Sequence, residues 1–121
     1  MYEYKAFVTR VVDGDTFDAT VDLGFTVSVQ QRFRLKDVDA PETWRPKTKA
    51  EADHGAQAKE FVIELIEGKD IVLTSVKAAV YNRYEAFVTL LDGSDLGTLL
   101  IENGLVKLDK YEDPDDTIQN S

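Results

Sequence analysis

The chain lacks several features that would point to particular classes of protein. It contains no cysteine and only one histidine, so disulfides and thiolate metal sites are excluded. No apolar run reaches the roughly 18 residues that cross a membrane, and the first residues, M-Y-E-Y-K, lack the basic-then-apolar form of a signal peptide. We therefore expect a cytoplasmic protein that contacts no membrane, with secretion left open for a chain whose signal has been removed.

Positive charge is also scarce. The 14 Lys+Arg stand against 23 Asp+Glu, which gives a net charge of 14 − 23 = −9. Tight electrostatic binding to a polyanion requires cations that neutralise phosphates, so this balance argues against a strong nucleic-acid binder. The chain does have 121 residues, 43% of them hydrophobic, which suffices for one core. We expect a monomer with one domain over residues 1–110 and an acidic, disordered tail over residues 111–121.

Apolar and polar residues alternate in the first third of the chain, which predicts three consecutive strands. The first covers residues 4–12, and the turn sequence D-G-D-T separates it from the second. The third covers residues 26–35, and Gly24 joins it to the second in a hairpin. Arg34 lies on the polar parity of the third strand. The opposite parity, expected to face the core, consists of Val27, Val29, Phe33 and Leu35.

Helical periodicity follows a polar segment, residues 44–49, that is expected to be an exposed loop. Short strands are predicted at residues 71–74 and 84–91, and a short helix, capped by Ser94 or Asp95, ends before Gly104. The order is that of an α+β, mainly β, five-stranded OB-fold barrel, with a helix between strands 3 and 4 and a short C-terminal helix. A generic α+β sandwich is the alternative. The helical stripe consists of Ala58, Phe61, Val62, Leu65 and Ile66, and Gly68 is placed to end that helix.

Carboxylates concentrate in two turns, with Asp13 and Asp15 in the first and Asp39 and Glu42 in the second. If the flanking strands are neighbours, these like charges converge and need a cation to remain ionised together. With no cysteine and one histidine, oxygen ligands favour calcium, magnesium or manganese over zinc or copper. Two ordinary solvated turns are the alternative interpretation.

Two arginines stand close to these turns or to a strand. Arg34 precedes the second acidic turn, and Arg83 precedes the predicted fifth strand in Y-N-R-Y. The planar guanidinium group matches phosphate oxygens in a bidentate way. If both arginines reach one place, they and a divalent cation would stabilise the charge that develops when a phosphodiester is attacked. Each arginine alone is more often a surface residue.

Five spaced motifs together resemble the staphylococcal nuclease (thermonuclease) family over about residues 6–108. They are V-V-D-G-D-T (11–16), R-L-K-D-V-D-A-P-E (34–42), G-A-Q-A-K-E-F (55–61), Y-N-R-Y-E-A (81–86) and E-N-G-L (102–105). The resemblance implies an OB-fold nuclease that depends on calcium, cuts DNA and RNA with low sequence specificity and leaves 3′-phosphate ends.

The resemblance also implies roles for individual residues. Asp15 and Asp39 would be the carboxylate ligands of Ca²⁺, Ala40 would contribute its backbone carbonyl, and Asp13 would stand behind these ligands. Ala40 departs from the threonine usual at this position, which a carbonyl ligand tolerates. The remaining implied roles are water activation by Glu42, phosphate binding by Arg34 and Arg83, and a border to the substrate site at Tyr81.

A few further residues have two interpretations each. Trp44 could stack on a base of a single strand, although packing within its loop is favoured. His54 is interpreted as a surface residue rather than an acid or base. Lys107, Lys110 and Tyr111 could form a rim for the polymer, with a solvated end as the default.

The sequence thus predicts a metal-dependent nuclease acting on DNA, RNA or both. The first alternative is a non-catalytic OB-fold module that binds nucleic acid or protein. The second is a protein that binds divalent cations in a regulatory role.

Overall fold

The computed structural model describes residues 2–76 and 84–111. Its elements follow the predicted order of three strands, a helix, two strands and a short helix. They are β1 (Glu3–Asp13), β2 (Thr16–Asp22), β3 (Ser28–Leu35), α1 (Lys49–Ile66), β4 (Asp70–Val76), β5 (Glu85–Thr89) and α2 (Leu96–Glu102). In the part of the chain so described, neither helix has the length and apolar character needed to cross a bilayer.

The five strands form a closed barrel in the order β1-β2-β3-β5-β4. Four of the pairings are antiparallel, and β3 with β5 is parallel, through Arg34 opposite Glu85 and Leu35 opposite Ala86. This closure, with a helix between β3 and β4, is the predicted OB-fold arrangement rather than the alternative sandwich. Because β3 joins β5, the end of β3 that carries Arg34 is fixed from both sides.

Strand alternation fills the barrel interior. Phe17, Ala19 and Val21 on β2 are buried, and the Phe17 ring stacks on Phe33 of β3 with centroids 5.8 Å apart. Every second residue of a strand faces one side, so β2 contributes its apolar parity to the core and its polar parity to solvent. The second predicted strand is therefore confirmed over most of its length.

The β2–β3 hairpin differs from the prediction at its tip. β3 begins at Ser28 rather than residue 26, because Phe25 and Thr26 take left-handed backbone angles (φ 54° and 61°) in a turn closed by Val27 N donating to Gly24 O at 2.9 Å. The expectation that Val27 and Val29 face the core is wrong, since both are about half exposed. The apolar parity is buried only from Phe33 onward, where the barrel interior lies behind it.

Helix α1 begins and ends at well-defined caps. Thr48 Oγ1 accepts a hydrogen bond from Glu51 N at 3.0 Å, which satisfies one of the free N–H groups of the first turn. Gly68, with φ 73°, lies beyond the last turn and donates its N–H to Val8 O on β1. The helix therefore starts at Lys49, inside the segment predicted as loop, and is tied to the barrel at its C-terminal end.

Two glycines let α1 and the acidic turns approach closely. A Cβ on Gly14 would lie 2.8 Å from Ala40 Cβ and 3.0 Å from Ala58 Cβ. A Cβ on Gly55 would lie 2.5 Å from Glu42 O. Real Cβ atoms do not approach other atoms so closely, so glycine is required at both positions. Helix α1 is thus the support on which both acidic turns rest.

The chain after α2 returns to the second acidic turn. Asp95 caps α2 by accepting from Thr98 N at 2.9 Å, and Leu96 and Leu100 are buried against the barrel. Beyond the helix, Lys107 N donates to Asp39 O at 2.8 Å. The second acidic turn is therefore held by α1 on one side and by the C-terminal segment on another.

Candidate functional site

Both acidic turns open onto one cavity of about 560 Å³. Six of the site residues predicted from the sequence line it, which confirms that they lie together but does not test their roles. The lining residues are Asp13, Asp15, Thr16, Arg34, Asp39, Ala40, Glu42, Trp44, Arg45 and Lys107.

Asp15 joins the first acidic turn to the second. Its side chain is buried, with the residue 8% exposed, and Oδ2 accepts from Ala40 N at 3.0 Å while Oδ1 accepts from Thr16 Oγ1 at 3.0 Å. Its backbone carbonyl accepts from Leu35 N at 2.8 Å. Burying polar oxygen atoms without hydrogen bonds costs free energy, and these contacts supply the donors that the Asp15 carboxylate needs.

Arg34 supplies the positive charge between the two turns. Its Nη2 donates to Asp39 Oδ1 and lies 3.7 Å from Asp15 Oδ2. Its backbone N–H donates to Tyr84 O at 2.9 Å, which locks this end of β3 to the residue before β5. One guanidinium thus stands between two carboxylates that would otherwise repel each other.

Asp13 is directed to a different part of the second turn. Its Oδ1 accepts from Thr43 N at 3.3 Å and from Thr43 Oγ1. The carboxylate therefore fastens the segment after Glu42 to the first turn. This position agrees with a supporting role behind the ligands, which stays a prediction.

The donors for a cation are hard oxygen atoms. Within residues 2–76 and 84–111, no group of three or more acidic or histidine side chains is arranged to hold a metal ion unaided. Asp15, Asp39 and the Ala40 carbonyl are three oxygen donors, a set that suits Ca²⁺ or Mg²⁺ when water and phosphate complete the coordination. By the type of their donor atoms, these residues fit a hard divalent cation.

Two predicted site residues, Arg83 and Tyr81, lie outside the described residues. Glu42 is exposed on the cavity wall, and its backbone rests on Gly55 of α1. Its carboxylate is therefore available to water at the mouth of the cavity, while its main chain is held by the helix.

The structure also places residues that the sequence interpretation missed or misjudged. Trp44 is 70% exposed on the cavity wall, and its ring contacts Arg45 of the same loop. Arg45 and Lys107 also line the cavity, although the sequence reasoning gave Arg45 no role and took Lys107 to be a solvated end by default. No periodic signal marks Arg45 or Lys107, because both lie in irregular segments.

His54 is a partly exposed residue of α1 that makes two contacts which the sequence analysis did not foresee. Its Nε2 donates to Gly104 O at 2.7 Å, and its Nδ1 lies 2.7 Å from the hydroxyl of Tyr111. The helical period contained the signal, because His54 is four residues before Ala58 on the core-facing stripe. Its role is to hold the C-terminal segment against α1, away from the cavity wall.

The closed five-stranded barrel, with one cavity that combines acidic turns and an arginine, defines an OB-fold protein with a site suited to a cation and an anion together. The family model described as "Staphylococcal nuclease homologue" matches residues 32–121. The chain belongs to the staphylococcal nuclease family. The match starts in β3, so the first acidic turn lies before it.

Two curated proteins show the same relationship over most of the chain. The chain is 31% identical over 109 residues to "Endonuclease YhcR" of Bacillus subtilis (strain 168), which covers 84% of this chain and 9% of that protein. It is 26% identical over 117 residues to "Staphylococcal nuclease domain-containing protein 1" of Schizosaccharomyces pombe (strain 972 / ATCC 24843), covering 90% of this chain and 12% of that protein. The chain thus spans about a tenth of the length of these relatives.

Proposed function

We propose that this chain is a metal-dependent nuclease that hydrolyses phosphodiester bonds of DNA, RNA or both with low sequence specificity and leaves 3′-phosphate ends. The observation that carries the proposal is the meeting of Asp15, Asp39 and Arg34 in one cavity. Family membership and the likeness to an endonuclease support the reaction class.

The carboxylates of Asp15 and Asp39 and the Ala40 carbonyl would hold Ca²⁺, which supplies positive charge for the phosphate in the transition state. Asp15 is held for this task by hydrogen bonds from Ala40 N and Thr16 Oγ1. Asp39 is held through its carbonyl by Lys107 N. The carboxylate of Asp15 is thus held by hydrogen bonds, whereas for Asp39 the main chain is held and the carboxylate is contacted by Arg34.

Arg34 would bind the phosphate and stabilise charge on its oxygens. Both of its contacts to carboxylates are made by Nη2, so they do not use the Nε–H and Nη1–H donors. Arg83 would be the second phosphate-binding arginine, and Tyr81 would border the substrate. Two guanidinium forks and one cation would then face a single phosphate.

Glu42 would orient or deprotonate the attacking water. The side chain is exposed at the cavity, where water reaches it. Positioning the water is expected to contribute more than proton removal.

Nicking of supercoiled plasmid by the purified chain tests this function. We expect cleavage with calcium, no cleavage with an excess of chelator, and products whose 3′ ends accept label only after phosphatase treatment. Absence of calcium-dependent cleavage on plasmid, single-stranded DNA and RNA would contradict the proposal.

The alternative of a non-catalytic OB-fold binding module is favoured by one observation, the ion pair with Asp39 that engages Arg34, the arginine that would otherwise bind phosphate. An oligonucleotide-binding measurement in parallel with the nicking assay separates the two functions. Binding of single strands with no cleavage under any divalent cation would establish the module.

A further inference from the structure

Trp44 occupies an unusual place for a large aromatic side chain. It is the one tryptophan of the sequence, it lies two residues after Glu42, and it stands 70% exposed on the wall of the acidic cavity. It is not among the partly buried hydrophobic residues that pack against the core. Packing therefore does not account for its position.

Arg45 orients the indole ring. Its guanidinium carbon lies 4.4 Å from the centroid of the Trp44 ring, a cation–π contact. The contact is made by neighbouring residues, with Arg45 in the left-handed backbone region at φ 53°. One guanidinium can cover only one face of an indole, and the exposure of Trp44 shows that much of the ring surface still meets solvent.

We propose that Trp44, with Arg45 stacked on it, is a platform that binds an unpaired nucleobase at the mouth of the cavity. The inference deepens the proposed nuclease function and rests on it for the identity of the ligand. A flat aromatic surface on the same cavity as Arg34 and the proposed calcium ligands matches a nucleotide. The base would stack on Trp44 while its phosphate reaches the Arg34 guanidinium and the calcium ion. Bases in a duplex have their faces covered by neighbouring pairs, so the platform selects single-stranded DNA or RNA.

The charge of the molecule increases the importance of such a platform. With a net charge of −9, attraction to the phosphate backbone is weak. Stacking is insensitive to the sign of the surface charge and tolerates every base. A platform of this kind therefore allows an acidic protein to bind a polyanion with little sequence preference.

Fluorescence gives a direct test, because Trp44 is the one tryptophan of the sequence and its emission changes when a base stacks on the ring. The wild-type protein, with chelator present to prevent cleavage, is titrated with a short oligothymidylate and with an abasic oligonucleotide of the same length. We expect the oligothymidylate to change the Trp44 emission at concentrations where the abasic strand leaves it unaltered. Equal responses to the two strands would overturn the platform.

Variants measure the contribution of stacking. With a dye-labelled oligothymidylate followed by anisotropy, Trp44→Ala is expected to raise the Kd by about 5- to 150-fold, the range for stacking of one base. Trp44→Phe should recover most of the lost affinity, and the abasic strand should bind both variants and the wild type alike.

Phe25→Ala is the matched control, since Phe25 is 96% exposed in the β2–β3 turn and does not line the cavity. A Kd for Trp44→Ala within twofold of wild type, or an equal loss on the abasic strand, would overturn the inference.

Cleavage assays separate this inference from the proposed function. If the chain cleaves with calcium and Trp44→Ala leaves the ratio of single-strand to duplex cleavage unchanged, the platform is refuted and the nuclease stands. If the chain never cleaves while oligothymidylate alone changes Trp44 emission, the nuclease is refuted and the platform stands. A ratio that falls in Trp44→Ala and recovers in Trp44→Phe supports both.

Discussion

At the residue scale, the site depends on how Arg34 is shared. Its Nη2 contacts Asp39 and lies near Asp15, so one guanidinium balances two carboxylates that would repel each other. Its side chain is about one third exposed, which leaves it open to a ligand in the cavity. The same arginine thus stabilises the pair of acids and is available to a phosphate.

We expect Arg34→Ala to lower kcat/KM by about 10²- to 10³-fold, because one preformed donor to the transition-state phosphate is lost. Calcium affinity measured by calorimetry should stay similar or rise, since a competing cation has been removed. Arg32→Ala is the matched control, because Arg32 lies on the same strand but pairs with Asp18 and does not line the cavity. Near-normal turnover in Arg34→Ala would remove this arginine from the reaction.

Asp39 and Asp37 form a second matched pair. Asp39→Asn is expected to weaken calcium binding at least tenfold, because a charged ligand is replaced by a neutral one. Asp37→Asn should leave calcium affinity unaltered, since Asp37 does not line the cavity that contains Asp39, and its left-handed backbone (φ 64°) is tolerated by asparagine. Isothermal titration with calcium measures both. Equal calcium affinities in the two variants would show that Asp39 is not a calcium ligand.

Asp18 offers a pH-dependent test away from the cavity. The hydrogen bond from Arg32 lowers the pKa of Asp18 below its ordinary 3.8, with Nε to Oδ1 at 2.7 Å. A depressed folded-state pKa stabilises the protein above the ordinary value, and this contribution is lost as the pH falls through the folded pKa. We expect Asp18→Asn to be less stable than wild type near neutral pH, by under about 1 kcal/mol because the pair is largely exposed.

Urea unfolding at about pH 7 and about pH 3 checks this sign. The difference in unfolding free energy between wild type and Asp18→Asn should shrink at the lower pH, where Asp18 begins to be protonated. A difference that is constant or grows on acidification would contradict the assigned cause of the shift.

At the element scale, α1 positions the second acidic turn through Gly55. A Cβ at this position would lie 2.5 Å from Glu42 O and 3.1 Å from Pro41 O, both backbone atoms that cannot rotate away. At Gly55 the helix and the turn therefore meet main chain to main chain. Moving either one moves Glu42 relative to Asp15.

Gly55→Ala is expected to destabilise the protein by about 1–3 kcal/mol, the usual cost of forcing atoms into a packed contact. Helix propensity by itself predicts the opposite sign, a gain of about 0.5–1 kcal/mol, so the two effects are distinguishable. Gln57→Ala, at an exposed position two residues further along α1, should stay within about 0.5 kcal/mol of wild type. Urea unfolding of the three proteins gives the comparison, and a stabilised Gly55→Ala would refute the close contact.

The local spacing of apolar residues was sufficient to predict most of the strands and helices. The alternation of Phe17, Ala19 and Val21 defined β2, and the stripe through Ala58 and Val62 defined α1. The start of β3 escaped prediction because Phe25 and Thr26 adopt left-handed angles, which sequence preference assigns to glycine or asparagine. The true start of α1 was signalled by Thr48 and Glu51, a capping pair three residues apart, which the loop prediction overlooked.

At the scale of the whole molecule, the site depends on contacts that no local pattern contains. Asp15 and Ala40 are joined by a hydrogen bond across 25 positions of sequence, and Asp39 and Lys107 across an even longer separation. The contact of Asp15 with Ala40 follows from the pairing of β2 with β3, in which Thr16 lies opposite Arg34. The spaced motifs of the nuclease family predicted the convergence, whereas composition, with its net charge of −9, argued against a nucleic-acid ligand.

The central claim is that the two acidic turns and Arg34 make one site for a cation and a phosphate together. Calcium titration calorimetry with and without a nucleoside 3′,5′-bisphosphate tests it most directly, because ligands that share a site must alter each other's affinity equally. We predict that the bisphosphate tightens calcium binding in the wild type and has little effect in Asp39→Asn. A calcium affinity that is the same with and without the bisphosphate would contradict the claim.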